Sequence, residues 1–315
     1  MWDFPLFPEQ ASKVAGHVDA VAFYALGIVL FFTTLICILI LFFAIKYRRG
    51  SKANRENAVT QNHTIEALWI GIPLALAMIL FTVAMLVFFE MYRPPEGTSE
   101  VYVLGRQWMW ETTHPENGKR EINELHWPVD RPVRLTMTSE DVIHSFFIPA
   151  FRIKQDVVPG RYTSMWFQPN KIGKYHLFCA EYCGTKHSGM IGWIHVMDPA
   201  DYQRWLESGT TGVSLAAEGA QLFRSLGCSG CHGLNASVRA PLLDGVYGHP
   251  VPLETGEFIT ADERYIRDSI LRPASQVVAG YKPVMPTFEG RIREDELLKV
   301  IAYIKSLSKN EGVAR

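Results

Sequence analysis

The sequence predicts a multidomain membrane protein: a two-helix transmembrane hairpin, then an antiparallel β-sandwich, then an all-α domain. Three observations carry this. Two uncharged runs, Val21–Ile45 and Ala67–Phe89, lie in the first third of the 315-residue chain. Segments rich in β-branched and aromatic residues, separated by turn signals, fill 100–197. Beyond a Ser/Gly/Thr stretch, helical periodicity surrounds a C-S-G-C-H motif at 228–232.

Each apolar run exceeds the roughly 20 residues that an α-helix needs to cross a bilayer. Helices are expected at about 20–47 and 65–92, within an N-terminal unit of 1–97. Between them lie Lys46, Arg48, Arg49, Lys52 and Arg55 against the single acid Glu56. Cytoplasmic loops carry such an excess of positive charge, so both termini are expected outside. The outer flanks agree, since Asp3, Glu9, Asp19, Glu90, Glu96 and Glu100 outnumber Lys13 and Arg93. Met1–Ala20 lacks the basic start and apolar core of a secretory signal, so the first helix is expected to direct export. Gly71 and Pro73 are tolerable in the second helix if it packs against others. Cys37, alone in the first helix, reads as an inert apolar residue. Glu66 at the cytoplasmic start of the second helix has two readings: a carboxylate complementing the helix dipole, or the opening of a proton path.

Strand signals follow in V-Y-V-L-G-R-Q-W-M-W-E, R-P-V-R-L-T-M-T-S, Y-T-S-M-W-F, K-Y-H-L-F and Ile191–Met197, giving a small sandwich or barrel over 98–198. A short helix at Ala200–Leu206 and the S-G-T-T-G stretch form a linker over 199–213. Amphipathic patterns at Ala216–Leu226, Asp262–Leu271 and Glu294–Leu307 make the last domain, 214–315, helical. The net charge of −1 gives no sign of nucleic acid as a partner.

Two constellations carry chemistry. C-A-E-Y-C-G-T-K-H-S-G-M at 179–190 places Cys179, Cys183, His187 and Met190 in one loop, and His144 lies upstream. Soft thiolates with imidazole and thioether are the donors copper prefers. A one-cysteine copper site needs no second thiol, so the pair suggests two ions sharing bridging thiolates. A disulfide would need neither histidine, and a structural zinc would not need Met190. Separately, Cys228-x-x-Cys231-His232 is the attachment signature of a c-type haem, with the two thiols forming thioethers and His232 held beside the iron. Met285, in P-V-M-P-T, would complete His/Met ligation, which raises the potential. A redox dithiol at the same cysteines would not need His232.

With S-E-D-V-I-H-S-F-F-I-P-A, V-P-G-R and C-A-E-Y-C-G-x-x-H-x-x-M in place, the chain resembles subunit II of the haem–copper cytochrome c oxidases, in the variant with a fused C-terminal cytochrome c domain. The resemblance covers essentially the whole chain. It implies a cupredoxin-like sandwich and a class I cytochrome c domain. It also implies a binuclear copper A centre with Cys179 and Cys183 bridging, His144 and His187 one on each copper, and two weak ligands: Met190 and the Glu181 main-chain carbonyl. The Glu181 side chain would bind magnesium or manganese at the interface with subunit I. G-R-Q-W-M-W places Trp108 on the electron entry route, although Met109 stands where many members have Tyr. H-T-I-E-A-L-W makes Glu66 the marker of a proton-channel mouth.

The function so implied is a relay. An upstream donor, such as a cytochrome c or a quinol-oxidising complex, reduces the haem c. Electrons pass to copper A and then to haem in subunit I, where oxygen is reduced to water with proton translocation. The implied partners are subunit I, other oxidase subunits and the lipid bilayer, and the location is a bacterial inner membrane with the metal domains periplasmic. The alternative is the electron-entry subunit of a copper A-containing nitric oxide reductase. A quinol-oxidase subunit would lack these metal donors, and nitrous oxide reductase would lack the two spans. His63, His126, His176, His195 and His249 are expected to be surface or packing residues, and His17 and His114 carry no specific signal.

Overall fold

A computed structural model describes residues 7–56, 61–208, 214–233 and 240–309. Asp3 and most of the S-G-T-T-G stretch lie outside the described residues. Helices α1 (Ala15–Lys46) and α2 (His63–Tyr92) pack as a hairpin. Both are apolar around their circumference and leave most large side chains, Leu41 and Leu86 among them, facing outward. Such a surface suits lipid rather than water. Asn62 caps α2 by accepting a hydrogen bond from the Ile65 amide, while Pro73 sits in its early turns.

α1 starts before the expected position near 20, and the reason is tertiary. Ala11 and Val14 are buried in the core of the β-domain, and the Ala11 amide donates to the Ala150 carbonyl. Arg152, on a turn of that domain, donates to both oxygens of Asp19 at 2.7 and 2.9 Å. Trp166 Nε1 donates to the Glu90 carbonyl, so the outer ends of both helices are tied to the sandwich.

The β-domain has ten strands: β1 (Ser99–Arg106), β2 (Met109–Thr113), β3 (Arg120–Ile122), β4 (Glu124–Pro128), β5 (Val133–Ser139), β6 (His144–Ile148), β7 (Ile153–Val157), β8 (Thr163–Phe167), β9 (Gly173–Cys179) and β10 (Ile191–Met197). They form two five-stranded sheets in the orders β3-β2-β1-β5-β8 and β4-β10-β9-β6-β7. The expected all-antiparallel pairing needs one correction: β1 pairs with β5, and β4 with β10, in parallel. These partners are separated by long excursions through the other strands, which is what parallel neighbours require. Alternate residues of β9 and β10, such as Leu177 and Ile194, point into a core shared with Trp110, Phe146 and Phe151.

The C-terminal part comprises α3 (Pro199–Glu207), α4 (Leu215–Ser225), α5 (Ser229–His232), a β11 (Pro250–Pro252)–β12 (Phe258–Thr260) hairpin, α6 (Glu263–Leu271) and α7 (Glu294–Lys309). Among the described residues, the small hairpin departs from an all-helical domain. Asp198, Ser214 and Asp262 cap α3, α4 and α6 through their side chains, each contributing about 1 kcal/mol. Gly219 brings α4 against α7 so closely that a Cβ there would lie 1.9 Å from the Lys299 carbonyl oxygen. Gly costs about 1 kcal/mol relative to Ala in a helix, and here it permits the crossing.

The helical domain rests on the sandwich through a half-buried ion network. Lys305 on α7 reaches Glu100 at 2.5 Å and Glu263 at 2.6 Å, and Arg134 reaches the same two carboxylates at 2.8 and 3.2 Å. Burial would raise the Glu263 carboxyl, but Lys305, with Tyr247 and Arg134, holds it below the ordinary glutamate value. Arg267 Nη1 donates to the Gly160 carbonyl across the same interface, and Tyr102 packs with Leu215, Leu298 and Ala302.

Candidate metal centres

The first centre forms where the second sheet ends. His144 opens β6, Cys179 closes β9, and the loop to β10 carries Cys183, a 3-10 turn at His187–Gly189, and Met190. The two sulfurs are 3.8 Å apart and unbonded, since a disulfide would hold them at about 2.05 Å. His144 Nδ1 is 3.9 Å from Cys179 Sγ, and His187 Nδ1 is 3.5 Å from Cys183 Sγ. Met190 Sδ lies 3.8 Å from Cys183 Sγ, and the Glu181 carbonyl oxygen lies 3.2 Å from Cys179 Sγ. All six expected donors therefore converge on the sulfur pair. His144 is fully shielded, and Cys179, Cys183 and Met190 are buried. Two soft sulfurs flanked by one imidazole each, with a weak donor beside each sulfur, fit a thiolate-bridged copper pair.

The support around these donors extends beyond them. Asp141 Oδ1 lies 2.8 Å from His144 Nε2, which leaves Nδ1 directed at the sulfurs. Gln107 Nε2 and Trp108 Nε1 both donate to the Cys183 carbonyl, at 2.8 and 3.2 Å. Gly105 leaves room for the His144 ring, because a Cβ would meet it at 3.0 Å. Burial raises the Cys179 thiol, but His144 and backbone amides outweigh it and bring its pKa down to about 6. Burial and the neighbouring Cys179 push Cys183 up to about 12. The pair thus favours a single negative charge until cations arrive to hold a second. Asp141 and Gln107 went unassigned in the sequence reading. The Asp-x-x-His spacing at 141–144 is the one local signal for Asp141, and nothing local marks Gln107.

The second centre is a partly open slot in the helical domain, with about 1080 Å³ of empty space counting the solvent at its mouth. Cys228, His232 and Met285 line it together with apolar residues such as Phe223, Ile270 and Phe288. Cys231 lies on α5 beside His232. His232 Nδ1 donates to the Pro241 carbonyl at 2.8 Å, which fixes the tautomer and leaves Nε2 for the slot. An apolar slot lined by Cys228, His232 and Met285, with Cys231 next to it on α5, offers the donor types and the apolar walls that a c-type haem would use.

The other expected residues are dispersed. Trp108 touches the first centre through its indole. The Glu181 side chain is exposed, while its main-chain carbonyl faces Cys179 Sγ. Glu66 lies in the first turn of α2 at the opposite end of the hairpin, 3.2 Å from His63 Nδ1. Asn62, not Glu66, caps that helix.

Comparison with known proteins fits this geometry. The family models described as cytochrome c oxidase subunit II transmembrane domain, cytochrome c oxidase subunit II periplasmic domain and cytochrome c match residues 1–89, 121–196 and 216–308 in turn. The cytochrome c oxidase subunit 2 of Thermostichus vulcanus is 30% identical over 256 residues, covering 64% of this chain and 77% of that protein. The chain belongs to the cytochrome c oxidase subunit II family. The subunit 2 of Alkalihalophilus pseudofirmus is 28% identical over 306 residues, 91% of this chain and 86% of that one, so the similarity extends into the cytochrome c domain. That of Synechocystis sp. is 45% identical over 106 residues, about a third of each protein (34% and 32%). The chain is thus an oxidase subunit with two membrane helices, an outer-side β-domain and a fused cytochrome c domain. In general terms those domains imply copper A and haem c.

Proposed function

We propose that this chain is the electron-entry subunit of a membrane-bound terminal oxidase, seated in a bacterial inner membrane with both termini and both metal domains periplasmic. Its division is 1–97, 98–198, 199–213 and 214–315: anchor, copper domain, linker and cytochrome. Cys228 and Cys231 would hold haem c, with His232 and Met285 as axial donors. Cys179 and Cys183 would bridge copper A, with His144 and His187 one on each ion and Met190 and the Glu181 carbonyl as weak donors. When bound, these groups supply the one-electron redox levels that carry electrons from an outside donor to subunit I, where oxygen is reduced to water with proton translocation.

The chain's own residues set the conditions for that transfer. Asp141 and the Pro241 carbonyl orient the imidazoles of the buried His144 and the partly buried His232, and the core of the sandwich keeps water from the thiolates. Rigid donors limit reorganisation when charge changes. Trp108, bonded to the Cys183 carbonyl, lies on the electron route. The exposed Glu181 carboxylate is free to reach magnesium or manganese at the interface with subunit I. Glu66, at the cytoplasmic end of α2, would mark the mouth of a proton channel in that subunit.

The observation that carries the reading is the sulfur pair 3.8 Å apart with an imidazole beside each sulfur. In the purified complex, His187→Ala or Cys183→Ser should abolish the near-infrared copper band while the haem c spectrum stays. A band that survives at full copper content would sink the ligand assignment. A nitric oxide reductase would use the same donors, so nitric oxide consumption without oxygen uptake by the wild-type complex would overturn the oxidase reading.

A further inference from the structure

Away from both centres, β4 and β10 gather another donor cluster on the face of the sandwich that α3 borders. His126 and His195 are direct partners in the parallel register. Their rings stack with centroids 4.2 Å apart and planes 7° apart, and Trp205 of α3 stacks on His126 at 4.5 Å. Glu124 precedes His126 by two residues, on the same face of β4. One donor atom from each of Glu124, His126 and His195 lies within 4.8 Å of the others.

We propose that Glu124, His126 and His195 form a binding site for a divalent cation of the zinc class, distinct from the copper and haem sites. Three features separate it from a packed pair of histidines. First, Nδ1 of His126 is hydrogen-bonded to Glu121, whose other oxygen meets His114 Nε2 at 3.0 Å, with Tyr202 Oη on the far side of His114 at 3.2 Å. Burial would raise the Glu121 carboxyl, but the hydrogen bonds from His114 and His126 hold it down at about 2. A carboxylate behind an imidazole is the usual outer support of a metal ligand, because it fixes the ring and raises the basicity of the other nitrogen. Nε2 is the His126 nitrogen left for an ion.

Second, His195 Nε2 is shielded from solvent and makes no hydrogen bond. Its nearest anion is Glu124 Oε1 at 3.6 Å, too long for a hydrogen bond. A buried nitrogen without a partner costs about 1–3 kcal/mol, which simple packing would leave uncompensated. A cation between the two groups removes that cost.

Third, two imidazoles and one carboxylate are zinc donors rather than those of calcium or magnesium, which take oxygen. Zinc binds such donors at about 2.0–2.1 Å in the plane of each ring, so the donors must close in by roughly an ångström and the stacked rings must splay for both nitrogens to face the ion. The Glu124 side chain is 45% exposed and is the donor free to move and to admit the ion. Three protein donors leave the fourth position to water.

The test is a chelator-buffered Zn²⁺ titration of the purified complex with copper and haem loaded, read by metal analysis and zinc-edge X-ray absorption. Wild type should hold one more zinc equivalent than His195→Ala, and Glu124→Gln should fill that site only at free Zn²⁺ at least tenfold higher. The absorption edge should show two imidazoles and no sulfur. Unchanged near-infrared and haem c spectra would report intact folding; if His195→Ala loses them, Glu124→Gln decides. Equal zinc in all three proteins, or sulfur ligation, would overturn the site.

Discussion

The copper-type and haem-type centres are built in opposite ways. In the first, strands β6 and β9 and the loop leading into β10 deliver the donors, and the sulfurs, imidazoles and thioether already lie within 3.5–3.9 Å of one another along the cluster. In the second, the protein supplies a lined, partly open slot whose largest component must come from outside. A sheet edge with a buried hydrogen-bonded frame can wait for its ions. A helical domain with an apolar slot is completed by what fills it, since interiors are close-packed and an unfilled void forfeits contacts on all its walls.

That contrast is broken most directly at the cysteines. Replacing both Cys228 and Cys231 by Ser should remove the covalent haem and leave the slot open to water. Limited proteolysis within 214–309 should then quicken at least tenfold, while the near-infrared copper band remains. Cys183→Ser should do the reverse, abolishing that band while both domains keep their protease resistance. If the double variant is as resistant as wild type, the helical domain does not depend on what fills it.

The two domains also meet, and that contact is testable with a charge. Glu263→Gln leaves Lys305 and Arg134 sharing Glu100 alone. Removing one partner of a buried pair costs about 3 kcal/mol or more, and partial exposure puts this case at the low end. Hydrogen exchange along α7 should report the loosening. The Glu263 pKa is depressed below its ordinary 4.5, so its contribution is present above that value and lost as pH falls through the lower folded one. Docking in wild type should therefore hold from neutral pH down to about 4.5 and weaken in stronger acid. Loosening that sets in near neutral pH would point to another group.

Much of this was legible in the sequence, for reasons that also explain the gaps. The donors at 179–190 and 228–232 are local signals, because metal ligation needs particular atoms at short spacing. Helices α4, α6 and α7 declare themselves through apolar periodicity. Strands β3, β4 and β7 did not, since E-L-H-W-P and I-K-Q-D-V are too short to show alternation. The network of Glu100, Arg134, Glu263 and Lys305 draws on separate strands and helices, so no sequence window contains it. Docking of residues 8–19 on the sandwich was hidden for the same reason. His126 and His195 read as surface or packing residues because their partnership exists only through the parallel register of β4 and β10.

A finer contrast lies behind two of the three histidine donors proposed for copper and haem: a carboxylate, Asp141, backs His144, and a neutral carbonyl, that of Pro241, backs His232. Outer partners of metal ligands are worth roughly 10–100-fold in affinity. Asp141→Asn keeps an acceptor but removes the charge, so copper affinity should fall about tenfold, near the low end of that range. Copper titration followed by the near-infrared band measures it. An unchanged midpoint would mean that the frame, not the charge, orients His144.

Gln107 tests the frame with a smaller perturbation. Its amide and the Trp108 indole both donate to the Cys183 carbonyl, so Gln107→Leu leaves that buried oxygen with one partner rather than none. The full penalty for an orphaned acceptor does not apply, and the loss should stay near 1 kcal/mol, the net value of one hydrogen bond. Denaturant unfolding of the copper-loaded protein should show a shift of that size with the near-infrared band intact. A loss of about 3 kcal/mol, or a displaced band, would mean that Gln107 holds the cysteine loop in place and the indole cannot do so alone. In that case the copper-type centre would be less preformed than its geometry implies, and closer to the haem slot in its dependence on what it binds.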